Sequence, residues 1–193
     1  MPLKPVIDQE KAESVEQDGS PDGFVPPSFY EAEVLSGGVT RLKISLPTHQ
    51  LEAVHRALTE ALQSPLKIRY LQFTDRQHTG QLPKPINWIG VDKTHEEVLH
   101  GLEQCRGLVY HDGRHQLWIR GHAEEQLVLE EIGIMYLYPD DPSFRDILEK
   151  HGVAEGTGQT IAERDYVKVN FAATFDEEEE RLISEWGLIQ WGG

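Results

Sequence analysis

From Leu108 to Tyr138 the chain offers four short apolar segments with only tight turns between them, and this run limits the fold more than any other feature. Leu108-Val109-Tyr110-His111 and His115-Gln116-Leu117-Trp118-Ile119-Arg120 flank Asp112-Gly113, a two-residue turn of the kind that closes a β-hairpin. Residues 126–130 and 134–138 flank Glu131-Ile132-Gly133 in the same way. Parallel neighbours need a crossover of a dozen or more residues, so strands this close in sequence pair antiparallel. A doubly wound parallel sheet is therefore excluded as the organising architecture.

The flanking segments extend this antiparallel core. Residues 30–35 and the alternating 41–46 form a hairpin around Ser36-Gly37-Gly38. Leu51, Val54, Leu58, Ala61 and Leu62 recur at helical spacing behind Thr48, the candidate N-cap, and Pro65 ends that helix. Residues 66–73 read as a strand, and 75–92 as a long loop with a short extended piece around Ile86, Trp88 and Ile89. Thr94 and Glu97 make a capping box for a helix to about residue 106, with Gly107 suited to the left-handed position after its end. Asp141-Pro142 opens a third helix carrying Phe144, Ile147 and Leu148. Residues 153–164 are loop-like, 166–171 alternate, and 176–186 form a last helix with an acidic first turn. The expected order is ββαβαββββαβα: an α+β fold with a mainly antiparallel sheet, helices packed on one face, and one domain over 28–193. Its expected core contains Leu51, Val54, Leu58, Ile68, Tyr70, Leu102, Leu117, Ile119, Phe144, Leu148, Val167 and Val169.

Residues 1–27 are rich in Glu, Gln, Asp, Ser, Gly and Pro and read as a flexible acidic tail. Thirty-three Asp and Glu against 18 Lys and Arg give a formal charge of −15, which repels phosphate backbones and argues against nucleic acid. A single cysteine, Cys105, excludes an internal disulfide. Charges and prolines at Met1-Pro2-Leu3-Lys4-Pro5 replace the apolar run of a secretory signal, and no apolar stretch reaches membrane-span length, so the expectation is a cytoplasmic protein with no membrane partner.

The chemical motifs are sparse. His95 and His100 are five residues apart, about 140° around a helix, and cannot share a metal as histidines four apart do. Residues 152–160 resemble a phosphate loop in glycine content only, since Gln159 stands where the lysine belongs. No cofactor motif, metal set or nucleophile elbow is present in the sequence, and no catalytic residue is assigned. Two constellations stand out. His111, Arg114 and His115 cluster at the expected hairpin tip, and with Trp88 from the long loop they make a candidate small-molecule site. Glu130, Glu131, Asp140 and Asp141 flank the apolar segment 134–138 and define a candidate acidic rim with Tyr138, near Tyr136 and Trp118, suited to a protein partner with a basic surface. The acidic run 176–180 reads as the solvated first turn of its helix.

Residues 112–119, the Ile134-Met135-Tyr136-Leu137-Tyr138 segment before a helix with Phe144, and the run 175–182 resemble the small acidic bacterial α+β proteins of the toxin-immunity kind. The resemblance implies a protein-binding module that neutralises a basic toxin or effector, and it supplies no site residues. Against it stands an enzyme or small-molecule binder built on the histidines of 111–115.

Overall fold

Short strands joined by tight turns do assemble antiparallel. The computed structural model describes residues 9–78, 80–170 and 172–192. Its strands are β1 (Ala12–Ser14), β2 (Phe29–Val34), β3 (Thr40–Ser45), β4 (Leu66–Asp75), β5 (Gly80–Lys93), β6 (His115–Arg120), β7 (Gln126–Leu129), β8 (Met135–Tyr138), β9 (Ala154–Glu155), β10 (Tyr166–Lys168) and β11 (Ile189–Trp191). The helices are α1 (Thr48–Ala61), α2 (His95–Gln104), α3 (Arg106–His111), α4 (Pro142–Lys150) and α5 (Asp176–Glu185). Nine strands form one sheet in the order β11-β5-β4-β6-β7-β8-β3-β2-β9, with β1 and β10 paired in a separate small sheet. Every neighbouring pair is antiparallel except β2 with β9.

Alternation fixes which side chains meet the helices. Ile68 and Tyr70 of β4, Leu117 and Ile119 of β6, Leu127 and Leu129 of β7 and Leu42 and Ile44 of β3 are buried in one cluster with Leu51, Val54, Leu58, Leu102, Phe144 and Leu182 from the helices. The opposite, outer face carries Arg69, Trp118, Val128, Tyr136 and Lys43, which follow one another across β4, β6, β7, β8 and β3 in the strand register. Over β8 the small sheet and the segments around it cover this outer face, through a second apolar cluster of Ala12, Ile134 and Ile161 with Phe24 and Tyr136 against it.

The expected caps formed where a side chain has a free amide to accept from. Thr94 accepts from the Glu97 amide while Glu97 accepts from the Thr94 amide, and Asp141 accepts from Ser143 at the start of α4. At α1 the N-cap position is Pro47, and Thr48 is the first helical residue.

Other expectations change as well. Residues 108–111 are helical, not a strand, so the 108–120 hairpin does not exist. Gly107 allows α3 to press on α5: a Cβ there would lie 2.3 Å from the Phe175 ring, and the Leu108 amide donates to Glu178 at 2.7 Å. The 75–92 loop is instead the arm of a long β4–β5 hairpin; Pro83 and Pro85 lie where β5 has no outer neighbour among the described residues, so their missing amides cost no ladder bond. The flexible tail expected over 1–27 is docked from Gln9 onward, while residues 1–8 lie outside the described residues. β1 pairs with β10, and Lys11, only 2 % exposed, donates to the carbonyls of Val109, at 2.9 Å, and Asp112. Val167, expected in the core, is 48 % exposed because β10 belongs to this outer sheet. No described helix is long and apolar enough to cross a membrane.

Candidate functional site

The last helix carries its acids for two different purposes. Phe175, Glu179, Leu182 and Trp186 share one helical face, and all four are buried. Glu179 and Asp176 turn inward to Arg114, which is wholly buried. Its guanidinium donates to both Asp112 oxygens at 2.8 and 3.0 Å, to Asp176 at 2.8 Å, to Glu179 at 3.2 Å and to the Ala172 carbonyl at 3.1 Å. Burial works against this charge, and the hydrogen bonds and charges of Asp112, Asp176 and Glu179 outweigh it, so the arginine is held more firmly protonated than usual. Burial raises Glu179 above the ordinary carboxylate range, partly offset by the Tyr70 hydroxyl that donates to it and by Arg114. Arg76 closes the network from outside by donating to Asp176, with its Nε at 2.8 Å.

On the far side of Glu179 a groove of about 470 Å³ runs between α5 and the β4–β5 arm. Strand register explains its floor. Tyr70 faces Trp88, and Gln72 faces Ile86 on one neighbour and His115 on the other. Trp88 donates its indole N–H to Gln72 at 3.2 Å, which fixes the ring as one wall. Ile183 and Leu188 supply the opposite wall, while Asp75, Glu179 and Glu180 bring three carboxylates to the lining. Among the described lining residues there is no lysine or arginine. Glu179 is matched by Arg114 and Asp75 lies 3.0 Å from His78 Nδ1, so Glu180, which accepts from Gln77, is the lining carboxylate without a basic partner among the described residues. An apolar floor beside it suits a ligand that is apolar at one end and cationic at the other.

The expected small-molecule constellation is brought together only in part. Trp88 lines the groove, but Arg114 is spent on its three carboxylates, and His115 is fully buried, stacked on Tyr70 with ring centroids 4.8 Å apart. Neither ring nitrogen of His115 has a partner among the described residues, nor does Nε2 of His55. Burial, and then the charges of Lys11 and Arg114, pushes His115 well below the ordinary histidine value. His111 ends α3 in a different cleft, with Nδ1 2.7 Å from the Gln9 carbonyl, and its pKa is lowered chiefly by burial. The three residues therefore do not form a hairpin-tip site, because α3 and the docked segment at Lys11 enclose what was expected to project.

The acidic rim is also divided. Glu130 and Glu131 stand at the β7–β8 turn, whereas Asp140 and Asp141 lie beyond the other end of β8, so the strand separates the two pairs. Asp140 accepts two bonds from Arg145 at 2.7 Å each, Asp141 caps α4, and Glu131 accepts from Gln116 at 2.6 Å. The Tyr138 hydroxyl accepts from Arg41 at 2.7 Å. Glu130 is pushed up to about 7, first by burial and then by the charge of Glu131. Glu131, Tyr138, Asp140 and Asp141 thus each hold a local contact, while no hydrogen bond or ion pair of the Glu130 carboxylate is found among the described residues.

Sequence reasoning missed Asp112, Tyr70, Asp176 and Glu179. The readable signal was the period of α5: Glu179 falls on the stripe of Phe175, Leu182 and Trp186, where a solvated carboxylate does not belong. The described residues hold no group of three or more His, Cys, Asp or Glu side chains placed to bind a metal ion. No family model, curated protein or solved structure matches the chain.

Proposed function

We propose that this is a protein-binding module of the cytoplasm, and that its groove between α5 and the β4–β5 arm receives a segment of a partner in which an apolar side chain stands beside a lysine or arginine. The observation that carries this reading is the lining itself: Ile86, Trp88, Ile183 and Leu188 as floor and walls, with the Glu180 carboxylate beside them unmatched by any lysine or arginine among the described residues. The formal charge of −15 adds steering toward a basic surface. A cationic toxin or effector is a partner of this kind, and an immunity role follows if the occupied segment is one the toxin needs. The reading moves the expected partner contact from the acids around β8 to the opposite end of the sheet.

Calorimetric titration with acetyl-Phe-Arg-Leu-Lys-amide and with acetyl-Phe-Glu-Leu-Glu-amide tests it. The basic peptide binds and the acidic one does not. Trp88→Ala weakens the basic peptide at least tenfold, and Glu180→Gln weakens it less while flattening its dependence on salt. Equal binding of both peptides, or indifference to Trp88→Ala, contradicts the reading.

A further inference from the structure

The same end of the sheet is bare on its other side, and there its chemistry is inverted. Strand register lays Ile189, Ile89, Arg69 and Trp118 in one row across β11, β5, β4 and β6, on the outer face. Trp191 and Asn87 follow in the next row, and Lys67 faces Arg120 in the row on the other side. Gly90 identifies the direction: a Cβ there would meet Leu188 and the Trp186 carbonyl on the helix side, so Ile89 and Val91 point outward. Trp191 and Ile189 are each 63 % exposed and Val91 is 54 % exposed. Neither Lys67 nor Arg69, both exposed, has an ion-pair partner among the described residues. Arg69 instead donates to the Asn87 side chain at 2.9 and 2.6 Å and lies 5.1 Å from the Trp118 ring centre.

We propose that this bare outer face docks an acidic amphipathic helix of a partner protein. Charge selects the occupant. In a chain with a formal charge of −15, two exposed cations without carboxylate partners sit among exposed aliphatic and indole groups, so the matching surface is anionic and apolar. A second copy placed face to face would bring Lys67 and Arg69 against their own counterparts, which disfavours a symmetric pair. The dimensions suit one helix. From Trp118 to Ile189 the row crosses three strand spacings, about 14 Å, and residues 87–91 extend about 13 Å along β5; a helix with its side chains is about 10–12 Å across. Leucines on its inner stripe would cover Ile89, Ile189 and Trp191, while flanking glutamates reach Lys67 and Arg69. This surface is separate from the groove and takes the opposite charge, so either can fail alone.

The test uses the full chain and an 18-residue amphipathic peptide with leucines at helical spacing and glutamates on the flanks, followed by fluorescence anisotropy. A twin peptide with lysine at every glutamate position and a thymidine dodecamer are the comparison probes. The acidic peptide binds; the double charge reversal Lys67→Glu with Arg69→Glu weakens it at least tenfold; Trp191→Ser weakens it severalfold; and Trp88→Ala, inside the groove, leaves it unchanged. Thermal melting of each variant within about 2 °C of the parent shows that the fold is kept. Equal binding of the lysine twin, tighter binding of the thymidine dodecamer, loss of the acidic peptide with Trp88→Ala, or no binding of the acidic peptide at millimolar concentration overturns the proposal.

Discussion

The two ends of the sheet are finished in opposite ways. At the β8-β3-β2 end both faces are engaged: α4 sends Phe144 and Leu148 into the core, and the small β1–β10 sheet and its neighbours cover Ile134 and Tyr136 outside. Charges there are matched, Arg41 to Glu33 at 2.8 Å and Arg145 to Asp140 at 2.7 Å. At the β11-β5-β4 end the hairpin arm leaves an acidic groove beside α5 and a cationic, aromatic face outside. A satisfied surface holds itself, whereas an unsatisfied one is available to a partner. Of the acids around β8, Glu131, Asp140 and Asp141 have partners within the chain, whereas Glu130 is held only by burial beside Glu131.

The contrast breaks most sharply at its seam, where Arg114 ties β6 to α5. Arg114→Met leaves Asp112 and Glu179 without their counter-charge and Asp176 with Arg76 alone, and urea denaturation should register a loss of about 3–5 kcal/mol. A loss under about 1 kcal/mol would mean that the network is not organised around this charge.

Acid probes the enclosed region next. Burial, and then the charges of Lys11 and Arg56, hold His55 down to about 3, and His115 is held well below its ordinary value. In the unfolded chain both titrate near about 6.5, so below that pH the unfolded state binds protons that the folded state refuses. Their contribution is complete above about pH 6.5 and is lost as pH falls toward 3, with a slope of up to about 1.4 kcal/mol per pH unit for each group. His115→Phe retains a ring against Tyr70 and removes one titrating group, so the acid limb of the urea midpoint becomes shallower. An unchanged slope would remove His115 from this account.

Lys11 separates docked segment from tail. Its amine is lowered to about 7, chiefly by burial. Lys11→Met leaves the Val109 and Asp112 carbonyls without their donor, and the melt should show a loss of about 1–3 kcal/mol. The same depression means that stability from this residue rises from about pH 7 toward about 10.5, the unfolded value, and the rise disappears in Lys11→Met. A variant melting like the parent would restore the flexible-tail reading. Smallest of all, Trp191→Ser or Ile189→Ser at the open end should change stability by no more than about 0.5 kcal/mol. Ile134→Ser, at the covered end, should cost about 2 kcal/mol or more, since it buries a hydroxyl in an apolar cluster.

What could be read from the sequence was local. The Thr94–Glu97 box, the Asp141 cap and the β2–β3 hairpin each depend on residues a few positions apart, and each is found. The α+β class followed from short antiparallel connections, and it holds. What escaped depends on distant partners. Leu108-Val109-Tyr110-His111 has no period that tells helix from buried strand, and the contact of Gly107 with Phe175 is decided 68 positions away in the chain. The polar composition of residues 9–27 gave no sign of docking, because its anchors are distant in the chain: β10 against β1, Arg164 on Asp22, and the Val109 and Asp112 carbonyls that accept from Lys11. Of the candidate site, Trp88 was legible as an aromatic in an unusual segment; Glu179 was not, since its role appears only when α5 meets Tyr70 and Arg114.

It is the groove beside α5, rather than the acid-rich region around β8, that is proposed to meet the partner. Amide and indole chemical-shift mapping of the ¹⁵N-labelled protein during titration with acetyl-Phe-Arg-Leu-Lys-amide tests it most directly. Shifts are expected to concentrate at Gln72, Ile86, Trp88, Ile183 and Leu188, with Glu130, Glu131, Tyr138, Asp140 and Asp141 unmoved. Shifts gathered at those five residues while the groove stays silent would contradict it.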